Sequence, residues 1–424
     1  MSALTTSELT AIYTDLHAHP ELGFAEHRTA GIVAERLRGW GFDVHEGIGG
    51  TGVVGVLAHG AGPRVLLRAD MDGLPVTERT GLPYASTDTA TTPEGRESGT
   101  MHACGHDVHV TCLLGAAAAL AGRDDWSGTL VVLFQPAEEV GEGARRMVAD
   151  GLYDRIGVVP DVVLGQHVMP LPVGVVSLTS GTAMAAADSL RITMHGSGGH
   201  GSSPEATVDP VVMAAATVLR LQGIVAREVG ATESAVVTVG SVQAGTQANV
   251  IPDRADLLVN VRTFDAGVRE RVLAAIHRIV DAEAAASGAP QPPEYTSVAT
   301  FNLTTNDQAA SARTRVVLER TLEAQRSRVE AAGGHPQVVS LPPMPGSEDV
   351  GDLATAAGVP LVYWFLGGFD AALFAGFDPA AATGMGGLPD GVAPNHSPFF
   401  APVPEPTLDL GVATLVAAAE EWLG

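Results

Sequence analysis

Residues 129–134, TLVVLF, form an uninterrupted apolar run, which is typical of a strand buried on both faces of a sheet. Other strand-like apolar runs lie before and after it, namely GVVGVLAH (52–59), RVLLRA (64–69), DVVLGQH (161–167) and PLVYWFLGG (360–368). Glycine and proline at 60–63 predict that the runs on either side of them form a hairpin. Because helical patterns alternate with these strands, the sequence predicts an α/β sandwich around a mainly buried sheet.

The helices are predicted from capping residues and apolar spacing. Thr5 and Glu8 fit a capping box, and apolar residues follow at helical spacing from Leu9 to Leu16. We expect a third helix to begin in the stretch GTMHACGHDVHV (99–110), where Asp107 could act as its cap. The other helices are expected at residues 26–40 and 407–423, and the third should end near residue 121.

The pattern changes after residue 186, where strands and helices follow in the order β-α-β-β-α-β. The segments are SLRITMHG (189–196), a helix over 208–228, SAVVTVGSVQ (234–243), RADLLVNVRTF (254–264), a helix over 268–286, and PPEYTSVAT (292–300). This order is that of a ferredoxin-like unit. We therefore expect a catalytic domain in two segments, 1–186 and 301–424, with a lid and dimerisation domain inserted at 187–300.

Composition restricts the possible partners. The chain has 424 residues, of which 46% are hydrophobic and 17% charged, as expected for a globular protein with more than one core. A net charge of −24 predicts repulsion from nucleic acid and from anionic membrane surfaces. We find no run of about 18 or more apolar residues and no signal peptide, so we expect a cytoplasmic protein. In that compartment Cys104 and Cys112 should be free thiols or metal ligands.

Potential metal ligands occur at four places, each at the end of a predicted strand or in a tight loop. They are His102, Cys104, His106 and Asp107 before the third helix, Glu138 and Glu139 after strand 129–134, His167 at the end of strand 161–167, and His396 in PNHSPFF (394–400). In α/β proteins, ligand sites form beyond the carboxyl ends of the strands. Thiolate, imidazole and carboxylate groups together suit Zn²⁺ and similar divalent ions.

Each of these positions, taken singly, has a plainer interpretation. A lone histidine at a strand end is usually a hydrogen-bonded polar residue. Paired glutamates often mark the solvated start of a helix, because carboxylates stabilise a helix N-terminus. Asp70 and Asp72, which follow strand 64–69, could equally be turn residues. The combination of the four places is what favours a metal centre.

Eight motifs resemble, in their order along the chain, those of the di-metal N-acyl-amino-acid amidohydrolases. They are RADMDGLP (68–75), GTMHACGHDVH (99–109), FQPAEE (134–139), GQHVMP (165–170), GGHGSSP (198–204), NVIP (249–252), SEDV (347–350) and NHSPFF (395–400). This family includes hippurate hydrolases, aminoacylases and plant auxin-conjugate hydrolases, and it is related to di-metal carboxypeptidases. The resemblance implies a metal-dependent hydrolase that cleaves the amide bond of an N-acyl amino acid, a small molecule, into a carboxylic acid and a free amino acid.

The resemblance also implies a centre with two divalent metal ions in each subunit. Cys104 would bridge the two ions, His106 and His167 would bind one of them, and Glu139 and His396 would bind the other. Cysteine, histidine and glutamate ligands suit zinc, manganese, cobalt and nickel.

Further roles follow from the same resemblance. Glu138 would be the general base, and Asp72 would orient a ligand. His200, in the inserted domain, would stabilise the developing oxyanion in the active site of the neighbouring subunit of a homodimer. Asn249 and Arg262 would hold the substrate carboxylate.

Two alternative functions stay open at the level of sequence. The same scaffold could carry a dipeptidase or a carboxypeptidase. It could also be a metal-binding or ligand-binding protein that has lost catalysis. The presence of both Glu138 and Glu139 argues against that loss, because a binding protein has no need of a free base.

Overall fold

The computed structural model describes residues 3–376 and 387–424, which form two compact units. The larger unit contains the chain up to Ala183, Thr305–Met344, and the chain from Asp349 onward. The inserted unit contains Met184–Thr304 and Pro345–Glu348.

The first part of the chain alternates helices and strands. Its elements are α1 (Thr6–Ala18), α2 (His27–Gly39), β1 (Asp43–Ile48), β2 (Gly52–His59), β3 (Arg64–Asp70), β4 (Thr89–Thr91), β5 (Glu97–Gly99), α3 (His106–Ala121), β6 (Gly128–Gln135), α4 (Gly143–Ala149), α5 (Leu152–Ile156), β7 (Val162–Pro172), β8 (Val175–Ser177) and β9 (Gly181–Met184).

The inserted segment and the last part of the chain supply the other elements. The inserted segment has β10 (Ala186–His195), β11 (Gly199–His200), α6 (Pro210–Leu221), α7 (Gly223–Arg227), β12 (Ala235–Ala244), β13 (Val250–Ile251), β14 (Arg254–Thr263), α8 (Ala266–Ala286) and β15 (Glu294–Phe301). The last part has β16 (Thr304–Asn306), α9 (Gln308–Ala324), α10 (Arg326–Ala331), β17 (Gln337–Val339), α11 (Val350–Ala357), β18 (Leu361–Phe369) and α12 (Pro404–Trp422).

A mixed sheet of eight strands, in the order β1-β2-β6-β3-β7-β18-β8-β17, organises the larger unit. Its central strands β6, β3, β7 and β18 run parallel, and they are apolar and largely buried because helices cover the sheet. The predicted α/β class is confirmed. Helix α3 is buried over almost its whole length, and Cys112 within it is fully buried.

The predicted hairpin between β2 and β3 is wrong, although both strands form. Strand β6 lies between them, antiparallel to β2 and parallel to β3. The linker at 60–63 passes the start of β6, where the Thr129 amide donates to the Pro63 carbonyl at 2.8 Å. An apolar strand such as β6 is more stable between two hydrogen-bonded neighbours than at the edge of the sheet, where one row of its backbone groups would stay unpaired.

His167 does not end its strand as predicted, because β7 continues to Pro172. The pairing of β3 with β7 stops at Arg68 and Gly165, whereas β18 pairs with β7 beyond that point. His167 therefore lies two residues beyond the last β3–β7 pair, level with Asp70 at the end of β3. The position of His167 is close to the predicted one, but it is defined by where the pairing between β3 and β7 stops, and not by the end of β7 itself.

The predicted helices form, and one predicted cap is wrong. Helix α1 has the capping box of Thr5 and Glu8. At α3 the N-cap is Gly105, in a left-handed conformation with φ 83°. Asp107 is buried in the first turn, where its carboxylate lies 2.7 Å from Nδ1 of His17.

The inserted unit is a four-stranded antiparallel sheet in the order β12-β14-β10-β15, packed against α6 and α8. With the chain order β-α-β-β-α-β, this confirms the predicted ferredoxin-like topology. The helix predicted over 208–228 is interrupted at Gln222, between α6 and α7. Residues 210–227 have the length and apolar composition of a membrane-spanning helix, but one such stretch, with 33% of it buried, is weak support for that role.

Candidate metal centre

Four segments of the larger unit bring together the side chains proposed as ligands. Cys104 and His106 flank the N-terminus of α3, and His167 lies in β7. Glu139 follows the end of β6, and His396 lies in the loop before α12. His396 is exposed, whereas the other side chains are buried or nearly so.

These ligand atoms form two groups of three that share the Cys104 sulfur. One group is Cys104, His106 and His167, and the other is Cys104, Glu139 and His396, with the ligand atoms of each group within 4.8 Å of one another. Cys104 Sγ lies 3.5 Å from His167 Nε2, and Glu139 Oε2 lies 3.3 Å from His396 Nε2. The two groups therefore meet at the Cys104 sulfur.

The polar atoms of the centre fit a pair of divalent ions. Among the described residues, His106 Nε2 and Glu139 Oε1 are buried without a hydrogen-bond partner. Such atoms are costly to bury unless another group, such as a cation, binds them. Burial and the charges of Glu139 and Glu138 raise the pKa of the Cys104 thiol well above its usual range. A thiolate at this position therefore requires nearby positive charge, which divalent ions supply.

The two buried histidines of the first group have opposite electrostatic environments. Burial lowers the pKa of His106, but the charge of Asp70 and the hydrogen bond to Asp72 outweigh it and raise that pKa to about 10. A positive charge on or beside this ring is therefore favoured. Burial, reinforced by His109, lowers the pKa of His167 well below its usual range. His167 is thus neutral, and because its Nδ1 donates to the Val168 carbonyl at 2.8 Å, its Nε2 lone pair faces Cys104.

Asp72 connects the first ligand group to the two glutamates. Its Oδ1 lies 3.2 Å from His106 Nδ1 and accepts from the Glu138 amide at 3.1 Å. Its Oδ2 accepts from the Glu139 amide at 3.0 Å. The carboxylate of Glu138 is buried and lies within 4.8 Å of the ligand atoms of His106 and Glu139. One carboxylate thus contacts the His106 ring and the backbone amides of both glutamates.

Sequence reasoning missed a further layer of supporting residues. Asp70 is not a turn residue but the buried last residue of β3, and its Oδ1 lies 2.5 Å from His109 Nδ1. His109 Nε2 accepts from the Val168 amide at 2.8 Å, next to His167. The spacing of His106 and His109 places them on one face of a helix, and this signal could have identified the second histidine.

His200, Asn249 and Arg262 all belong to the inserted unit. His200 is exposed on β11, and its Nδ1 accepts a hydrogen bond from the Ser202 amide at 3.1 Å. The Asn249 carbonyl accepts from the Gly201 amide at 2.8 Å, so Asn249 lies beside the histidine loop. Arg262 lies on β14, where its Nη1 donates to the Ser347 hydroxyl at 2.7 Å.

Comparison with known proteins agrees with the motif order. The sequence model of peptidase family M20/M25/M40 matches residues 66–421. The hippurate hydrolase of Campylobacter jejuni is 43% identical over 274 residues, which are 64% of this chain and 68% of that protein. An N-acetyl-L-cysteine deacetylase of Bacillus subtilis is 41% identical over 268 residues, which are 62% of this chain and 61% of that protein. The chain thus aligns with roughly two thirds of each relative.

A solved structure extends the similarity to the whole chain. The Bacillus subtilis YxeP protein, a dinuclear metal-binding peptidase of the M20 family, has a TM-score of 0.73 and 28% identity. The alignment covers 98% of this chain and 97% of that one.

Proposed function

The chain belongs to peptidase family M20/M25/M40, whose members are metal-dependent hydrolases of amide bonds, and from that premise we propose that it cleaves N-acyl amino acids. Water adds to the acyl carbonyl, the carbon–nitrogen bond breaks, and a carboxylic acid and a free amino acid are released. The observation that carries this proposal is the pair of ligand groups that share Cys104, with the Glu138 carboxylate beside them. The names of the two relatives, a hippurate hydrolase and an N-acetyl-L-cysteine deacetylase, support the substrate class.

Two metal ions would be held at this centre, one by Cys104, His106 and His167 and the other by Cys104, Glu139 and His396. Zinc, manganese, cobalt and nickel all suit this donor set. When bound, the two ions supply a polarised water and positive charge for the developing oxyanion.

Glu138 is the general base of the reaction. It takes a proton from the attacking water and later returns it to the leaving amine. Asp72 holds both glutamates in place, because it accepts hydrogen bonds from the amides of Glu138 and Glu139 at 3.1 and 3.0 Å. With both backbones fixed in this way, Glu139 would act as a ligand and Glu138 would transfer the proton.

His200 donates a hydrogen bond to the oxyanion. The Ser202 amide is a donor, so the Nδ1 atom that accepts from it carries no proton, and the proton of the neutral ring lies on Nε2. His200 is exposed, which leaves that N–H group accessible to a substrate.

Arg262, together with Asn249, binds the substrate carboxylate. Arg262 is half-buried, and in the part of the chain that the structure describes its partners are the neutral groups of Asn260, Ser347 and Pro345. Burial lowers the pKa of Arg262, and no anionic side chain within the described ranges offsets that effect. A substrate carboxylate would provide the missing negative charge.

The protein acts as a cytoplasmic homodimer, which forms through the inserted unit. Helix α6 exposes a stripe that includes Val212, 64% exposed, and Leu219, 76% exposed. Strand β12 is an edge strand that also exposes valines, Val236 and Val242. An apolar helix face beside an unpaired strand edge is typical of a surface that is covered by another copy.

A hydrolysis screen tests the activity. Purified protein is reconstituted with Mn²⁺, Zn²⁺ or Co²⁺ and supplied with acetyl-, benzoyl- and long-chain-acyl amino acids and with dipeptides, and amine release is measured. We expect higher kcat/KM for at least one N-acyl amino acid than for the dipeptides. Faster cleavage of dipeptides would contradict the proposal and identify the protein as a peptidase. If protein that holds two metal ions hydrolysed none of these compounds, the result would favour a binding protein over an enzyme.

Metal analysis of two cysteine variants tests the bridge separately. Cys104→Ser should reduce bound metal from two ions per chain toward one or none, because both ligand groups use this sulfur. Cys112→Ser is the matched control, since Cys112 is also buried but lies inside α3, with its sulfur near the Leu408 carbonyl. Equal loss of metal in the two variants would contradict the bridging role.

A further inference from the structure

Asn395, which precedes the ligand His396, is buried at 8% exposure, and its side-chain amide faces three acceptors. Its Nδ2 lies 3.3 Å from the Cys104 carbonyl, 3.7 Å from Cys104 Sγ and 3.5 Å from the Val168 carbonyl. Because two of these neighbours are carbonyl oxygens, which only accept hydrogen bonds, the atom that faces them is the NH₂ nitrogen and not the amide oxygen. The two N–H groups of this nitrogen are therefore shared among the Cys104 sulfur and the two carbonyl oxygens.

These contacts connect three of the segments that carry the proposed ligands. Cys104 precedes α3, and Val168 follows the ligand His167 in β7. The third segment is the loop of Asn395 itself, whose next residue, His396, donates its amide hydrogen to the Ala103 carbonyl at 2.7 Å. A single side chain thus holds the loop of one ligand against the segments of two others.

We propose that Asn395 is a positioning residue that donates a hydrogen bond to the Cys104 sulfur and so sets its donor strength at the junction of the two ligand groups. This proposal rests on the proposed role of Cys104 as a shared metal ligand. A hydrogen bond to a thiolate withdraws electron density from the sulfur, and hydrogen bonds around metal-bound sulfur are a recognised means of tuning such centres. Residues that orient and tune ligands in this way typically change metal affinity by about 10–100-fold when they are replaced.

The alternative is that Asn395 only fills space and satisfies two carbonyl groups. Both roles predict some loss of stability on substitution, so a stability measurement or an activity assay does not separate them. The energy of thiolate-to-metal charge transfer separates the two roles, because that energy depends on the electron density at sulfur.

The experiment uses the whole protein loaded with Co²⁺, with near-ultraviolet absorption and metal titration as the readouts. Asn395→Leu has a similar size and no donor, and Asn395→Ala is a smaller second variant in case leucine prevents folding. The matched control is Asn306→Leu, because buried Asn306 also donates to two backbone carbonyls, those of Thr179 and Tyr363, but makes no contact with Cys104 among the described hydrogen bonds.

We expect a thiolate-to-cobalt band in wild type, a shift of that band to longer wavelength in the Asn395 variants, and cobalt affinity about 10–100-fold weaker. The control variant should keep the wild-type band position. A band shift without a change in affinity would still support the proposal. An unshifted band would overturn it, even with weakened affinity, because that result would show packing without a hydrogen bond to sulfur. If wild type itself gave no thiolate-to-cobalt band, the shared-ligand role of Cys104 would fail, and the proposal with it.

Discussion

Glu138 and Glu139 are chemically identical and adjacent, but their carboxylates have different neighbours. Glu139 Oε2 lies 3.3 Å from His396 Nε2, and Glu139 belongs with Cys104 and His396 to the second ligand group. Burial raises the pKa of Glu139, but the hydrogen bond to His396 and the charge of His106 outweigh it and lower that pKa, as suits a ligand that stays ionised. Glu138 lies near His106 and Glu139 but outside both groups that contain Cys104.

Glu138→Gln should therefore separate catalysis from metal binding. We expect two bound metal ions and a kcat lower by roughly two to four orders of magnitude, the usual contribution of a positioned general base. Glu139→Gln is the matched variant and should lose metal. Metal analysis together with kcat on the best N-acyl substrate checks both. If Glu138→Gln lost metal while Glu139→Gln kept it, the two roles would be exchanged.

His17 is buried between two carboxylates, with Nδ1 2.7 Å from Asp107 and Nε2 3.1 Å from Glu78. Burial lowers the pKa of His17, but the hydrogen bonds to Asp107 and Glu78 outweigh it and raise the pKa to about 10. A histidine whose pKa in the folded state exceeds its ordinary value of 6.5 contributes stability that is fully present below pH 6.5. That contribution is lost as the pH rises toward the folded-state pKa.

His17→Gln should consequently cost more stability in acid than in base. The free energy of unfolding in urea is measured for wild type and variant, both free of metal, at about pH 6 and about pH 9.5. We expect the difference between the two proteins to shrink at the higher pH. A difference that is constant over this range would contradict a protonated His17 in the folded state.

Among the elements, α3 begins with a glycine whose missing side chain matters. Gly105 has φ 83°, and a Cβ there would lie 2.3 Å from Val168 Cγ1. Gly105 separates Cys104 from His106, and Val168 is next to His167. The start of this helix and the middle of β7 can therefore approach this closely only if the capping residue is glycine.

Gly105→Ala should reduce both stability and metal affinity, because the added Cβ forces the buried Val168 side chain, α3 or β7 to move. The matched control is Gly151→Ala, at the N-cap of α5, where φ is 77° but no atom lies within 4 Å of the added Cβ. Both variants place alanine in a left-handed conformation, at a cost of roughly 1–2 kcal/mol. Thermal unfolding and metal titration should show a larger stability loss for Gly105→Ala and a loss of affinity in that variant alone. Equal effects would mean that the close approach to Val168 is unimportant.

Most helices and strands could be predicted from the sequence, because apolar spacing reports which face of an element is buried. The same spacing does not report which strand pairs with which, and this is why β6 was not expected between β2 and β3. The burial of Arg68 also could not be predicted from apolar spacing. Arg68 is buried within an apolar strand because Asp70 and Asp349 neutralise it, and Asp349 lies 281 positions away.

At the scale of the whole molecule, the β-α-β-β-α-β order identifies the inserted unit from the sequence alone. Its topology is confirmed, but its role toward the metal centre depends on assembly and stays a proposal. The proposed ligands and Glu138 belong to the larger unit, whereas His200 belongs to the inserted unit. If His200 acts on the neighbouring subunit, each active site of the dimer requires residues from two chains.

Mixing two inactive variants tests this dependence. Homodimers of His200→Ala and of Glu138→Ala should each be nearly inactive. In a mixed dimer, one active site would contain both intact groups and the other would contain neither. Unfolding, mixing and refolding equal amounts should make about half of the dimers mixed and restore about a quarter of wild-type activity.

The control pair is Glu138→Ala with Cys104→Ala. Both of these residues lie in the larger unit, so every active site in their mixed dimers lacks one of them, and no activity should return. Mass spectrometry of the intact dimers establishes that mixed species are present in both samples. Recovery with the His200 pair alone would show that a catalytic group is supplied by the neighbouring chain. No recovery in samples that contain mixed dimers would mean that His200 acts within its own chain or takes no part in the reaction. Recovery in the control pair would instead show that subunits exchange whole segments during refolding, since only then could Glu138 and Cys104 from different chains meet.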